Sequence, residues 1–379
     1  MFSPKPYFLL LKILADRNLY KLENFIPKDS ELTFYDPGNG IPDHKNTDAW
    51  LLRTVTNVNE QTVPDLSKDL QFIGTGSSGS DHIDKKYLQK NGVKFADAKG
   101  CNARAVAEYV LTALLLLKFD EKVDIESLSY GIIGVGAVGT EVGKLMDAFG
   151  FNYKSYDPPR EEIDPNFTSC SLDEVLECDA LTFHVPYEEY GNHPTKYWLD
   201  ETKLANRNYK VLINASRGGI LKEEAVKASF NKGHIDFLVI DVWENEPDFD
   251  PEFAELAYIA TPHIAGYSEQ AKLNASSIVV QKMLNHFGTE STIDQDLYQS
   301  KYVDLAHITF SDSQLLKRLH PIMEYDAALR DLIGRSDRTE LFRKLREDRP
   351  FRFEYGYLSL DEPLIKDHPF LKVLGISNH

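Results

Sequence analysis

The chain has 379 residues, of which 42% are hydrophobic and 27% charged, and a formal net charge of −17. A chain of that length exceeds what one small core organises, so more than one domain is expected, and the negative excess excludes a general nucleic-acid binder. Three scattered cysteines, Cys101, Cys170 and Cys178, are too few for a disulfide framework or a zinc site, which leaves no expected metal and points to a reducing, cytoplasmic compartment.

The N-terminal run YFLLLKILAD is interrupted by Lys12 and closed by Asp16, with no small-residue cleavage site behind it. It reads as a first buried strand and not as a signal peptide. No run approaches the ~20 apolar residues of a membrane span. Short apolar runs then alternate with polar breaks in ELTFYD, AWLLRTV, LQFIGTG and VKFADA, with helix-forming stretches such as DHIDKKYLQKNG between them. This is the pattern of a small α/β unit. The stretch NARAVAEYVLTALLLLKF is apolar on most faces and too long for a strand, so it predicts a buried helix starting at Asn102.

From Leu128 the strand-like runs SYGIIGVG, NYKSYD, ALTFHV, KVLINAS, FLVIDV and AYIAT alternate with helical stretches, which predicts a doubly wound parallel sheet. The helical SEQAKLNASSIVVQKMLNHF follows, where the chain can return to the first unit. The last ninety or so residues are rich in Asp, Arg and Tyr and show no catalytic constellation. They predict one long helix over SQLLKRLHPIMEYDAALRDLI, a strand over FRFEYGYLSL, and a separate interaction-forming domain. Leu315, Leu316, Leu319, Tyr325, Phe342, Phe351 and Phe353 there are expected to divide between that domain's core and a subunit interface.

Gly134, Gly136 and Gly139 form G-x-G-x-x-G between an apolar strand and an amphipathic helix, the setting in which glycines let a backbone approach a pyrophosphate. Asp157 ends the next strand, close to the ~20-residue spacing at which a carboxylate meets an adenosine ribose. NAD is therefore expected over NADP, although Arg160 stands nearby. Arg217, Glu246 and His263 each follow a predicted strand of the same sheet, at the edge where such sheets place ligands. They form a chemical set: an imidazole to take a hydroxyl proton, a carboxylate to hold its other nitrogen, and a planar fork for a substrate carboxylate. Pro262 restricts the backbone before the imidazole, and Gly266 leaves room for a nicotinamide ring.

The glycine loop, NASRGG, DVWENEP and TPHIAGY, in this order, resemble the D-2-hydroxyacid dehydrogenase family from about Lys12 to His286. The resemblance implies a Rossmann NAD domain over 102–266 and a flavodoxin-like substrate (lid) domain over 1–101 completed by 267–288. It implies catalytic roles for Arg217, Glu246 and His263, and NAD contacts at Gly134, Gly136, Ala137, Val138, Gly139, Asp157, Val185, Asp241 and Gly266. It also implies substrate contacts at Thr54, Thr75 and Tyr267, beside which Arg53 could help hold a phosphate. Val185 stands where a threonine is usual, so a cofactor contact there would use backbone. KGCNARAVAEYV, FIGTGSSGSDHID, GNHPTKYWL and the tail segments MEYDAALRDL, FRKLREDRPFRFEY and KVLGI resemble one branch of the family. That branch implies a C-terminal α+β dimerisation domain over 289–379, a homodimer, and NAD-dependent oxidation of 4-phospho-D-erythronate. Oxidation of another 2-hydroxy acid, such as 3-phosphoglycerate, and a non-catalytic NAD-sensing dimer stay open at this point.

Overall fold

The computed structural model describes residues 10–289, 295–305, 308–347 and 350–379, so most of the chain ahead of the first strand lies outside it. Two compact units emerge, each assembled from two stretches of chain. One takes the chain up to Asn102 together with Glu269–Gln299; the other takes Ala103–Ser268 and Ser300–His379.

The first unit is a parallel sheet of β1 (Lys12–Asp16), β2 (Glu31–Tyr35), β3 (Ala49–Leu52), β4 (Phe72–Thr75) and β5 (Lys94–Asp97), in the order β2-β1-β3-β4-β5. This is the flavodoxin-like order. The inner strands AWLL and FIGT are buried at every position, as a sheet covered on both faces requires. Leu273, Val279 and Met283 of the helix Glu269–His286 pack on Ile13, Leu51 and Phe72. A Cβ at Gly74 would stand 2.4 Å from Val279, so that glycine sets how closely helix and strand approach. On the other face Trp50, Ile73 and Leu88 form a second apolar layer.

The second unit holds six parallel strands, β6 (Ser129–Ile133), β7 (Asn152–Tyr156), β8 (Ala180–Phe183), β9 (Tyr209–Asn214), β10 (Ile235–Ile240) and β11 (Ile259–Ala260). Their spatial order is β7-β6-β8-β9-β10-β11, so the winding reverses between β6 and β8 and opens a crevice at the strands' carboxyl ends. The helix Ala103–Glu121 is buried from Ala105 to Leu117 and packs beside the helix Ala137–Phe149. Asn102 does not cap it through its side-chain oxygen, which has no hydrogen-bond partner among the described residues.

Residues 300–379 group with this six-stranded sheet and do not form a unit of their own. Leu315, Leu316, Leu319 and Tyr325 join Leu111 and Leu114 in one core, and Phe342 joins Trp243 and Phe249 in another. The physical reason lies at the sheet's edge. Asp326 Oδ1 accepts the Ala260 N–H of β11 at 2.7 Å, and Arg330 donates to the Ala254 and Ala257 carbonyls at 3.0 and 2.7 Å. The tail thus covers an edge that would otherwise be open to pairing. The predicted long helix is two, Asp312–Leu319 and Ile322–Arg330, because Pro321 cannot continue the first. Only Leu358–Leu360 of the expected FRFEYGYLSL strand is extended in a sheet, β13, between β12 (Lys301–Tyr302) and β14 (Ser377–Asn378).

Candidate active site

The loop after β6 carries Gly134 at φ +84°. A Cβ there would lie 2.6 Å from Val185 Cγ1 and 2.8 Å from the His184 carbonyl, so the loop is pressed onto the end of β8. A Cβ at Gly139 would stand 2.1 Å from the Gly134 oxygen, which fixes the helix Ala137–Phe149 against its strand. Gly136 differs: a Cβ there would meet no atom within 4 Å. Two glycines serve the protein's own packing, and the third keeps the first-turn N–H groups of Ala137 and Val138 approachable, as a pyrophosphate needs. Asp157 Oδ2 accepts the Val135 N–H at 2.7 Å and Oδ1 the Arg160 N–H at 3.1 Å, which aims the carboxylate at the loop. Arg160 itself is engaged by the Val135 carbonyl at 2.7 Å and by Asp164 at 3.1 Å. These residues fit a dinucleotide. Val185 has its side chain against Gly134 and is half-buried.

Asp241, just past β10, is buried and fully engaged. Its Oδ1 accepts from Thr261 Oγ1 at 2.6 Å and the Ile264 N–H at 2.7 Å, and its Oδ2 accepts the Ala265 N–H at 2.9 Å. Burial pushes its pKa up to about 6, against the opposing pull of His263 and these donors. Its first service is to fold the loop 261–265. That loop holds His263 at φ +58°, a left-handed backbone that costs free energy outside glycine. His263 Nδ1 meets Glu246 Oε2 at 2.8 Å, and Glu246 Oε1 accepts the Trp243 N–H at 3.0 Å. Burial favours a neutral Glu246, but the His263 charge and hydrogen bond, with the Trp243 N–H, hold its carboxyl below the ordinary glutamate range. An ionised carboxylate only accepts, so Nδ1 carries the proton and Nε2 is the nitrogen left to exchange one with a substrate.

Arg217 stands on a turn that Asn214 folds locally. Asn214 Nδ2 donates to the Arg217 carbonyl at 3.0 Å, and its Oδ1 accepts from Ser216 Oγ at 2.9 Å. A Cβ at Gly218 would lie 1.8 Å from the Trp243 oxygen, so this turn packs backbone to backbone on the segment leading to Glu246. Glu223 and Glu244 clasp the two segments, each accepting the other's N–H at 2.7 and 2.8 Å, with burial pushing Glu223 up to about 7. Arg217, Glu246 and His263 therefore follow three neighbouring strands, β9, β10 and β11, at one sheet edge.

Tyr267 and Gly266 belong to the same unit, directly after the histidine loop. Arg53, Thr54 and Thr75 belong to the other unit, at the carboxyl ends of β3 and β4, where Leu52 pairs with Thr75. Thr75 Oγ1 lies 2.9 Å from Ser77 Oγ and 3.0 Å from His82 Nε2, and burial drives His82 down to about 4, which keeps it neutral. Thr54 is exposed. Arg53 donates to the buried Asp16 at 3.1 Å, so its charge is already answered within its own unit. Among the described residues no group of His, Cys, Asp or Glu could hold a metal ion.

Two tail residues at this site escaped the sequence reading. Arg346 Nη2 donates to Tyr267 Oη at 3.0 Å, and Glu354 accepts from Ser268 Oγ at 2.8 Å. The available signal was faint: charged residues among aromatics in FRKLREDRPFRFEY, a composition that solvated helices also show.

Comparison with known proteins agrees with this geometry. The profile of the D-isomer specific 2-hydroxyacid dehydrogenase NAD binding domain matches residues 117–265. The erythronate-4-phosphate dehydrogenase of Marinobacter nauticus is 34% identical over 92% of this chain and 94% of its own. That of Tolumonas auensis is 34% identical over 97% and 99%, and that of Bacteroides thetaiotaomicron 34% over 91% and 97%. In fold, D-lactate dehydrogenase of Aquifex aeolicus, solved with NAD and lactic acid, superposes with a TM-score of 0.59 at 24% identity, covering 73% of this chain and 95% of its own. NAD-bound 3-phosphoglycerate dehydrogenase of Entamoeba histolytica gives 0.60 at 20% identity, covering 74% and 96%. With a glycine cradle, an imidazole–carboxylate pair and full-length relatives in accord, the chain belongs to the D-isomer specific 2-hydroxyacid dehydrogenases and is an NAD-dependent enzyme.

Proposed function

We propose that the protein oxidises 4-phospho-D-erythronate at C2 to (R)-3-hydroxy-2-oxo-4-phosphooxybutanoate, a step toward pyridoxal 5'-phosphate. The observation that carries this reading is the reach of the relatives. Proteins named for that activity align with the tail as well as with the dehydrogenase core, over 91–97% of the chain. Bound NAD supplies the hydride acceptor. His263 takes the C2 hydroxyl proton at Nε2, Glu246 stabilises the imidazolium that forms, and Arg217 holds the C1 carboxylate. Thr54, Thr75 and Tyr267 are assigned to the rest of the substrate. A complete proton-transfer pair argues against a regulator that merely senses NAD.

The test is a steady-state assay of the purified full-length protein with NAD. The substrates are 4-phospho-D-erythronate, D-erythronate, 3-phosphoglycerate and D-glycerate. The first is expected to give the highest kcat/KM. A clear preference for 3-phosphoglycerate would replace the reading, and NAD binding without turnover of any of the four would return it to a regulator.

Asp157 is assigned to the adenosine ribose. Asp157→Ser is expected to weaken NAD binding and narrow the preference over NADP, because the ribose loses its acceptor and a 2′-phosphate loses its repulsion. Cofactor titration followed by fluorescence checks this; an unchanged NAD-to-NADP ratio would place the acid elsewhere.

The protein is further proposed to act as a homodimer through residues 289–379, in the cytoplasm. Cys101, Cys170 and Cys178 are all free thiols, and no helix among the described residues is long and apolar enough to cross a membrane. Leu315, Leu316, Leu319, Tyr325 and Phe342 are buried within the chain, so a partner must use other tail residues. Truncation before the tail would open the six-stranded unit's own core, and light scattering of the intact chain is therefore the measurement. A monomer at micromolar concentration would refute the assembly.

A further inference from the structure

A half-buried guanidinium stands beside the proposed substrate tyrosine, with no salt bridge to a carboxylate among the described residues. Arg346, on the tail helix Arg338–Glu347, donates through Nη2 to Tyr267 Oη at 3.0 Å, and its guanidinium carbon lies 5.6 Å from the Tyr267 ring centre. Its Nε is buried and has no hydrogen-bond partner among the described residues. The carboxylates whose charge reaches it are otherwise committed: Glu246 to His263 and the Trp243 N–H, and Asp241 to Thr261 and two backbone N–H groups. The setting is firmly built. Phe351 packs edge-on to Tyr267, and Glu354 accepts from Ser268 at 2.8 Å, so the tail grips both residues that follow the histidine loop.

A guanidinium taken partly out of water is ordinarily paired, because an unpaired buried charge is costly. Here the direct hydrogen bond goes to a neutral tyrosine, and the carboxylates whose charge reaches the guanidinium are engaged elsewhere. An anion arriving with the substrate would answer it. A phosphorylated 2-hydroxy acid has two anionic ends, and Arg217 accounts for only one. We propose that Arg346 binds the substrate's terminal phosphate, with Tyr267 holding its fork in place, so that a residue of the tail selects for phosphorylated substrates. This rests on the reading of the substrate as a phosphorylated 2-hydroxy acid. It also gives the tail a chemical role in the active site of its own chain.

The experiment measures kcat/KM for two pairs, 4-phospho-D-erythronate against D-erythronate and 3-phosphoglycerate against D-glycerate, in the wild type, Arg346→Gln and Arg346→Lys. Loss of a charge-assisted, forked contact to phosphate is expected to lower the phosphorylated-to-free ratio by about 10²-fold in Arg346→Gln. The lysine variant, which keeps the charge without the fork, should fall between. The unphosphorylated acids should lose far less rate than the phosphorylated ones, and NAD affinity should stay near wild type. If the glutamine variant does not fold, the lysine variant carries the comparison, and a ratio unchanged from wild type overturns the proposal. So does a parallel fall for both members of each pair, which would make Arg346 a support for Tyr267 and Glu246 only. A wild type inactive on 4-phospho-D-erythronate, yet preferring 3-phosphoglycerate through Arg346, would sink the proposed reaction and keep this inference. A wild type that oxidises 4-phospho-D-erythronate with a preference indifferent to residue 346 would do the reverse. No preference for the phosphorylated member in either pair would sink both.

Discussion

His263→Ala is expected to lower kcat by at least the ~10²-fold typical of a lost general base, while NAD affinity stays close to wild type. The separation follows from the layout. The glycine cradle and Asp157 depend on β6, β7 and β8, whereas His263 stands past β11 on a loop that Asp241 folds. Alanine removes the imidazole and leaves the Asp241 hydrogen bonds to Thr261, Ile264 and Ala265 in place. Glu246→Gln should act in the same direction but more weakly, because the imidazole remains and loses only its counter-charge. The pH profile carries further information. Glu246 has its carboxyl held below the ordinary glutamate range, by His263 and the Trp243 N–H acting against burial. A depressed folded value means the carboxylate stays ionised as pH falls through the ordinary range, and its stabilising contribution is lost only below that. Oxidation by the wild type should therefore show no acid-side limb from Glu246 within the ordinary glutamate range. Single-turnover rates across pH, with NAD titration of each variant, check both points. A histidine variant that keeps most of its kcat would end the mechanism.

The second large effect is on folding. Glu108 lies fully buried in the helix Ala103–Glu121, where its carboxylate accepts from Arg104 Nε at 2.9 Å, Arg352 Nη1 at 2.7 Å and the Tyr355 N–H at 3.0 Å. Arg352 also donates to the Ala105 carbonyl at 2.9 Å, Arg104 to the Leu374 carbonyl at 2.9 Å, and Thr112 shares a 2.7 Å hydrogen bond with Tyr355 Oη. One carboxylate thus ties the central helix to the tail at several points. Glu108→Gln would turn an amide N–H₂ toward guanidinium donors and leave Arg352, whose side chain is 5% exposed, without its counter-ion. Breaking a buried pair from one side costs about 3–5 kcal/mol. For a unit of this size that corresponds to a melting temperature lower by roughly 6–20 °C. Thermal unfolding followed by circular dichroism gives the answer, and a shift under about 2 °C would show that the cluster is solvated or dispensable.

The residues that carried most of the fold and chemistry were those whose reasons are local. Apolar runs of strand length, a glycine loop between strand and helix, and single polar residues after successive strands all express their role within a few positions. What stayed hidden depends on partners 66 to 244 positions away. Glu108 sits four residues after Arg104, a spacing that reads as an ordinary helical pair, and nothing near it announces Arg352. FRFEY read as the start of a strand, with Phe351 and Phe353 shared between a core and a subunit interface. In the structure Glu354 is buried against Ser268 and the Arg352 side chain is turned in to Glu108, while Phe351 and Phe353 are half-buried. Hydrophobic patterning fails where a charge cluster forms the interior. The tail's merger with the six-stranded unit was hidden for the same reason, since Asp326 and Arg330 look like surface residues until Ala260, Ala254 and Ala257 are placed beside them.

The interleaving of the two units has a consequence for the order of synthesis. The first sheet is complete in its strands by Asp97, yet the helix that covers one of its faces begins at Glu269. At ribosomal speeds of ~5–20 residues per second, the growing chain would wait roughly 10–30 s between the two, with Ile13, Leu51 and Phe72 lacking their covering partners. The six-stranded unit closes later still, when residues 300–379 arrive over β11. Nascent chains of this protein should therefore be long-lived clients for chaperones that bind apolar surface, and a ribosome stalled near residue 200 should display a first unit that proteases still cut.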